Sequence, residues 1–124
     1  MTKVVTFQDL KVWQKAHGLV LGVYRASKDF PAEEKYGLAA QLRRSAVSVP
    51  ANIAEGFKRK SKKAFSHFLN IADASLEETK YHLILSADLG YLPCAAFERL
   101  REQCDEAGRM LCGLDRSLIR TYHL

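Results

Sequence analysis

Apolar residues recur along most of the chain in alternating steps of three and four, the spacing that gathers side chains on one side of an α-helix. The stretch near the C-terminus is the most regular. There Phe97, Leu100, Cys104, Ala107, Leu111, Leu114 and Leu118 keep the rhythm without a break. An earlier stretch gives Phe65, Phe68, Ala72, Leu76, Thr79 and Leu83, and the one before it Ala39, Leu42, Ala46, Val49 and Ile53. Punctuation falls between these runs. A first helix is predicted from after Thr6, with Asp9 near its positive end, to about Asp29, ahead of Pro31. A second follows Pro31 and Ala32, with Glu33 and Glu34 in its first turn, and runs to about Phe57. Ser61 introduces a third, which ends near Leu89 with Gly90 as the stop. The fourth follows Pro93 and runs to about Arg120. Four long amphipathic helices with short connections predict an all-α, up-and-down antiparallel four-helix bundle, with residues 1–124 forming one domain.

Pro50 is the irregularity in the second helix. It has no N–H to offer the carbonyl of Ala46, so a kink or a break is expected near it. The apolar register passes through without a change of phase, which favours one continuous, kinked helix, with Ser45 and Ser48 able to satisfy freed backbone groups. The alternative is two shorter helices, the second capped by Ser48.

The first helix is apolar over too wide an arc. Leu10, Trp13, Val20, Tyr24 and Ser27 form one stripe, and Val12, Ala16, Leu19, Val23 and Ala26 another. Together they span roughly 220° of the helical wheel, against the roughly 100° that one buried face needs. Either this helix is central or tilted within the bundle, or its second stripe meets another subunit. The second reading is favoured here, with Val12, Leu19 and Val23 at a homo-oligomer interface.

Composition narrows the class. With 124 residues, 48% hydrophobic and 27% charged, the chain can bury one core and does not resemble a disordered segment. Three prolines and seven glycines are too few for a many-stranded β protein. The first residues lack the apolar stretch of a signal peptide, and no apolar run approaches the roughly 20 residues that span a bilayer. A cytoplasmic protein without a membrane partner is expected. Cys94, Cys104 and Cys112 make no Cys-x-x-Cys pair and read as reduced structural thiols.

The net charge of +5 hides an asymmetry. Residues 1–63 hold 13 Lys and Arg against 5 Asp and Glu, for +8; residues 64–124 hold 6 against 9, for −3. The positive half ends in Lys58, Arg59, Lys60, Ser61, Lys62 and Lys63. Such a run is often only a solvated loop. Here Lys62 and Lys63 fall in the first turn of the third helix, where the dipole is already positive and each cation costs about 0.3–1 kcal/mol. A cluster that tolerates this repulsion makes an anion site, with phosphate as the natural ligand and Arg43 and Arg44 as possible extensions. Phe57 and Phe65 flank the run but match core spacing, so backbone contact is expected rather than base stacking.

Nothing in the sequence points to catalysis. His17, His67, His82 and His123 are scattered, His17 reads as a packed residue on an apolar stripe, and no Glu-x-x-His pair or Gly-rich phosphate loop occurs. Glu33-Glu34 and Glu77-Glu78 read as helix-surface charge. Asn52 and Glu55 suit backbone hydrogen bonds, and Gly56 suits a helix stop. No enzyme, cofactor or metal site is expected.

Several segments resemble a known family. Phe7-Gln8-Asp9-Leu10-Lys11-Val12-Trp13-Gln14-Lys15-Ala16, Phe30-Pro31 with Glu34, and Tyr36-Gly37-Leu38 are similar to the start of four-helix-bundle proteins related to the 23S rRNA intervening-sequence protein. Gln41 to Ala46, Ser48 to Gly56, Phe68 to Ala72, and Ser75-Leu76-Glu77-Glu78 through Leu89-Gly90-Tyr91-Leu92 resemble its central signature. Ala74 stands where the family commonly has Gly, and the last helix matches only in pattern. The resemblance implies a ring, with five protomers the expected count. It also implies kinship with accessory variability proteins of diversity-generating retroelements, basic partners of a reverse transcriptase and nucleic acid, with the family's arginines falling on Arg43 and Arg44. Two functions follow: a ring that binds the RNA or DNA backbone, or a scaffold whose basic face meets an acidic protein.

Overall fold

The computed structural model describes residues 3–122, with side chains through Leu118. A 3-10 turn at Phe7–Asp9 precedes α1 (Lys11–Ser27), and another at Ala32–Glu34 precedes α2 (Leu38–Phe57). The remaining helices are α3 (Lys62–Asp88) and α4 (Cys94–Tyr122), and no strand occurs among the described residues. The helices touch in a closed square, α1 on α2, α2 on α3, α3 on α4 and α4 on α1. Short connections make each successive pair antiparallel. The all-α four-helix bundle is therefore established.

Local chemistry accounts for the ends. The Asp9 carboxylate accepts the amides of Val5 and Thr6, both at 2.9 Å. These bonds hold its pKa below the ordinary value. They close only a 3-10 turn, because Leu10 is extended and delays α1 to Lys11. Glu34 likewise precedes its helix instead of opening it. Its carboxylate accepts the Leu38 amide at 3.1 Å and the Tyr91 hydroxyl at 3.0 Å, tying the α1–α2 turn to the α3–α4 turn. Gly90 ends α3 in a left-handed conformation at φ +80°. The Gly90 amide donates to Ala87 O at 3.0 Å and the Tyr91 amide to Ser86 O at 2.9 Å, the paired bonds of a Schellman cap.

All five residues of the α2 stripe, Ala39, Leu42, Ala46, Val49 and Ile53, are buried. They meet Leu69, Ala72, Leu76 and Leu83 of α3, and Leu100, Cys104, Ala107 and Leu111 of α4. Each fully buried Leu contributes about 1.5–3 kcal/mol, more than any surface ion pair here supplies. α2 is continuous through buried Pro50, in keeping with its unbroken register. Burial also pushes the Cys104 thiol up to about 12, so this cysteine serves as a small core hydrophobe.

The interface assigned to α1 is corrected. Val12 is 4% exposed, and Leu19 and Val23 are 0% exposed within the single chain. They belong to the protomer's own core and are not available to a neighbour. A helix of this square packs on two others, so α1 needs a wider apolar arc than one buried face. What remains outside is part of the other stripe: Tyr24 is exposed, with Leu21 exposed beside it, and Leu10 and Trp13 are half-buried, while Val20 and Ser27 are buried.

A Cβ at Gly90 would meet nothing within 4 Å, so substitution there costs backbone strain alone. Gly90→Ala should lower unfolding free energy by about 1–2 kcal/mol, measured by urea denaturation, with helicity unchanged.

Candidate nucleic-acid interface

α2 and α3 meet at a tight corner. Lys58 follows the last turn of α2, and the Arg59 amide closes on Gly56 O at 3.0 Å. Ser61 caps α3, its hydroxyl accepting the Ala64 amide at 3.1 Å, so Lys62 and Lys63 stand in the first helical turn as expected. Lys58, Arg59, Lys60, Lys62 and Lys63 are all exposed. No ion pair holds any of the five among the described residues. Five cations thus project from one corner, none of them within ion-pair distance of a carboxylate among the described residues.

Gly56 is not a helix stop. It is buried inside the last turn of α2, where a Cβ would stand 2.7 Å from Phe68 Cβ and 3.0 Å from Phe65 Cδ1. Its lack of a side chain lets the end of α2 press onto the start of α3. Phe65 packs against the core while half-buried, and Phe57 meets it edge-on with ring centres 6.1 Å apart. Phe68 is the exception to the predicted α3 stripe. Leu69 takes the core position, and Phe68 is half-buried beneath the Arg59 guanidinium at 4.6 Å.

Arg43 and Arg44 do not join this corner. Fifteen residues of helix separate Arg43 from Lys58, about 22 Å along the axis. Arg43 is occupied at the far end of the bundle. Its Nε donates to Ser27 Oγ at 2.7 Å, its Nη2 reaches Tyr24 O at 3.5 Å, and its guanidinium lies 4.6 Å from the Tyr24 ring centre. These contacts satisfy the end of α1 and give Arg43 a structural role. Arg44 is exposed one residue on, at the same far end.

The apolar surface left on α1 borders a groove of about 370 Å³ between α1 and α2, lined by Phe7, Trp13, His17, Val20, Val47 and Ala51, among others. His17 is exposed, not packed in the core, and stacks on Trp13 with ring centres 4.9 Å apart.

A buried polar seam between α2 and α3 was not foreseen. Ser45 Oγ and His82 Nδ1 share a hydrogen bond at 3.2 Å, and the Thr79 hydroxyl donates to Ser45 Oγ at 3.0 Å. His82 Nε2 lies 3.7 Å from Glu78 Oε2. Farther along, Ser48 and Ser75 hydroxyls pair at 2.8 Å, and the Asn52 amide donates to Ser48 O at 2.8 Å, the backbone bond expected from its place in the sequence. A serine, a histidine and a carboxylate in sequence suggest nucleophilic chemistry. Ser45, Thr79 and His82 are buried, however, in the packed interface of the two helices. The seam sets the register of the two helices. Scattered Ser and Thr between apolar positions were its only trace in the sequence.

The family model for the 23S rRNA-intervening sequence protein matches residues 8–113. The chain belongs to this family. A solved structure of a protein of unknown function from the S23 ribosomal protein family of Bacteroides thetaiotaomicron VPI-5482 superimposes with a TM-score of 0.78 at 24% identity. The match covers 85% of this chain and 95% of that one, and it shows the shared fold. Among curated proteins none matches significantly. No described helix is long and apolar enough to cross a membrane.

Burial lowers the His82 pKa from its ordinary 6.5, and the Arg44 charge adds to this while Glu78 opposes it. The folded chain therefore protonates His82 less readily than the unfolded chain does, and below 6.5 the unfolded chain takes up a proton that the fold resists. Stability present above that value is lost as pH falls toward the folded pKa. Thermal melts should show Tm dropping as pH falls below about 6.5, and His82→Gln should flatten that segment. An equally steep drop in the variant would assign the effect to other groups.

Proposed function

We propose that the protein is a non-enzymatic, self-associating nucleic-acid-binding protein that grips the phosphate backbone with its α2–α3 corner. The observation that carries this reading is the set of five exposed cations at the α2–α3 corner, two of them in the first turn of α3, without ion-pair partners among the described residues. The fold gains nothing from Lys62 and Lys63, which cost about 0.3–1 kcal/mol each against the dipole. The family takes its name from a 23S rRNA intervening sequence, which supports RNA as the first ligand to test. Little sequence preference is expected from contacts of this kind, since phosphates carry no base information.

Self-association through the α1–α2 groove belongs to the same reading. Its surface is almost wholly apolar, and Val47, on its edge, is 40% exposed. A second copy covering it would place several basic corners in one particle and raise apparent affinity well above that of one. The family resemblance suggests a ring of five.

If about five phosphates are neutralised per protomer, log K should fall against log salt with a slope of roughly −3 to −5, read by fluorescence anisotropy with labelled RNA and DNA. Replacing Lys60, Lys62 and Lys63 with Ala should flatten the slope and leave Tm unchanged or slightly raised. Salt-independent binding, or a triple variant that binds like the parent, would move the function to a protein partner, such as a reverse transcriptase or another acidic surface. Light scattering should give a mass several times 14.0 kDa at micromolar concentration. Val47→Glu with Ala51→Glu should reduce it to that of the single chain with helicity retained; a monomeric parent at high concentration ends the self-association part.

A further inference from the structure

The Arg59–Phe68 pair gives the basic corner a flat surface as well as charge. Phe68 lies one residue before the core position taken by Leu69, and its ring is half-buried instead of enclosed. The guanidinium of Arg59 rests 4.6 Å from the centre of that ring, and the exposed imidazole of His67 meets it edge-on at 5.6 Å and 75°. No hydrogen bond or ion pair engages Arg59's side chain among the described residues, so the ring contact is what orients it. Gly56 makes the contact possible by letting the end of α2 close on Phe68.

A guanidinium lying on an aromatic ring has a second planar face, and Arg59 is exposed to solvent. Such a planar, delocalised cation stacks well on nucleobases. Bases within a duplex are already stacked on one another and present only their edges. Unpaired bases offer a face, and each stacked base adds affinity without demanding a particular sequence.

We propose that the α2–α3 corner is a site for single-stranded nucleic acid. Lys58, Lys60, Lys62 and Lys63 hold the backbone while an unpaired base stacks on the Arg59–Phe68 pair. The proposal rests on the nucleic-acid reading above and deepens it, since phosphate contacts alone would not distinguish a single strand from a duplex of equal charge density. It also departs from the expectation of backbone contact without base stacking.

The test is anisotropy with a short labelled RNA strand, alone and annealed to its complement, through one salt series. The parent should bind the single strand about tenfold more tightly than the duplex at matched salt. Phe68→Leu keeps apolar volume but removes the aromatic face, and Arg59→Lys keeps the charge but removes the plane. Each should weaken single-strand binding about tenfold, and more than duplex binding, with the single-strand salt slope nearly unchanged, while Phe68→Trp restores the preference. Variants that bind the single strand like the parent, or a parent with no preference over duplex, overturn the proposal. If the Lys60, Lys62 and Lys63 triple variant still flattens the slope in that case, backbone binding stands and stacking alone falls. Absence of binding to either RNA at low salt removes both. Should Phe68→Leu fail to fold, Arg59→Lys leaves the core untouched and carries the test.

Discussion

Each of the four helices carries an apolar stripe, and all four must leave water together. No pair of these helices accomplishes that alone, since each packs on two neighbours, and only a closed square meets the demand. Side chains such as Leu19, Leu42, Leu83 and Leu100 are consequently fully buried at the centre of the bundle. This requirement fixes the helices side by side and leaves the turns at either end comparatively free in composition. The two ends differ sharply. One is tied by hydrogen bonds, with Glu34 bridging Tyr91 and Leu38 and with Arg43 on the end of α1. The other gathers cations.

The polar seam between α2 and α3 refines the square without driving it. Buried hydroxyls and an imidazole contribute modest net energy when satisfied, but a one-turn slip would leave Ser45, Thr79 and His82 unpaired in the interior, at about 1–3 kcal/mol per group. Apolar packing brings the helices together, and the seam selects one register. Gly56 depends on that register, because its gap must face Phe65 and Phe68. A sliding α3 would present a different residue there and hold the corner open.

Much of the fold was legible where a residue's role is local. Ser61 caps, Gly90 terminates, and the α2 stripe is buried throughout because capping geometry and helical period need no knowledge of neighbours. The departures share a different cause. Val12, Leu19 and Val23 read as surplus on a wheel for one buried face, but α1 has two helices to bury against. Phe68 and Leu69 are adjacent apolar residues, and a period between three and four cannot say which of them turns inward. Arg43 and Arg44 follow one another in sequence, yet Arg43's long side chain reaches back across the α1–α2 turn, a contact sixteen residues distant from Ser27. The basic run was visible as charge; its lack of partners and its aromatic support became visible only in three dimensions.

The position of the corner links the two halves of the functional reading. α1 begins at the end of the bundle where α2 finishes, and the groove lined by Trp13 and Ala54 reaches to about one helical turn from Lys58 along α2. On the helical wheel Lys58 follows Ala51 and Ala54 by seven and four residues, which sets it in line with the apolar surface. In a ring whose axis runs along the bundles, copies packed through that groove would bring their basic corners to a common end. The cost of crowding like charge there falls when a polyanion lies across them and releases its counterions. Assembly and ligand binding would then be linked in both directions: a nucleic acid that spans several corners favours the assembled form, and assembly raises the affinity for a strand long enough to span them.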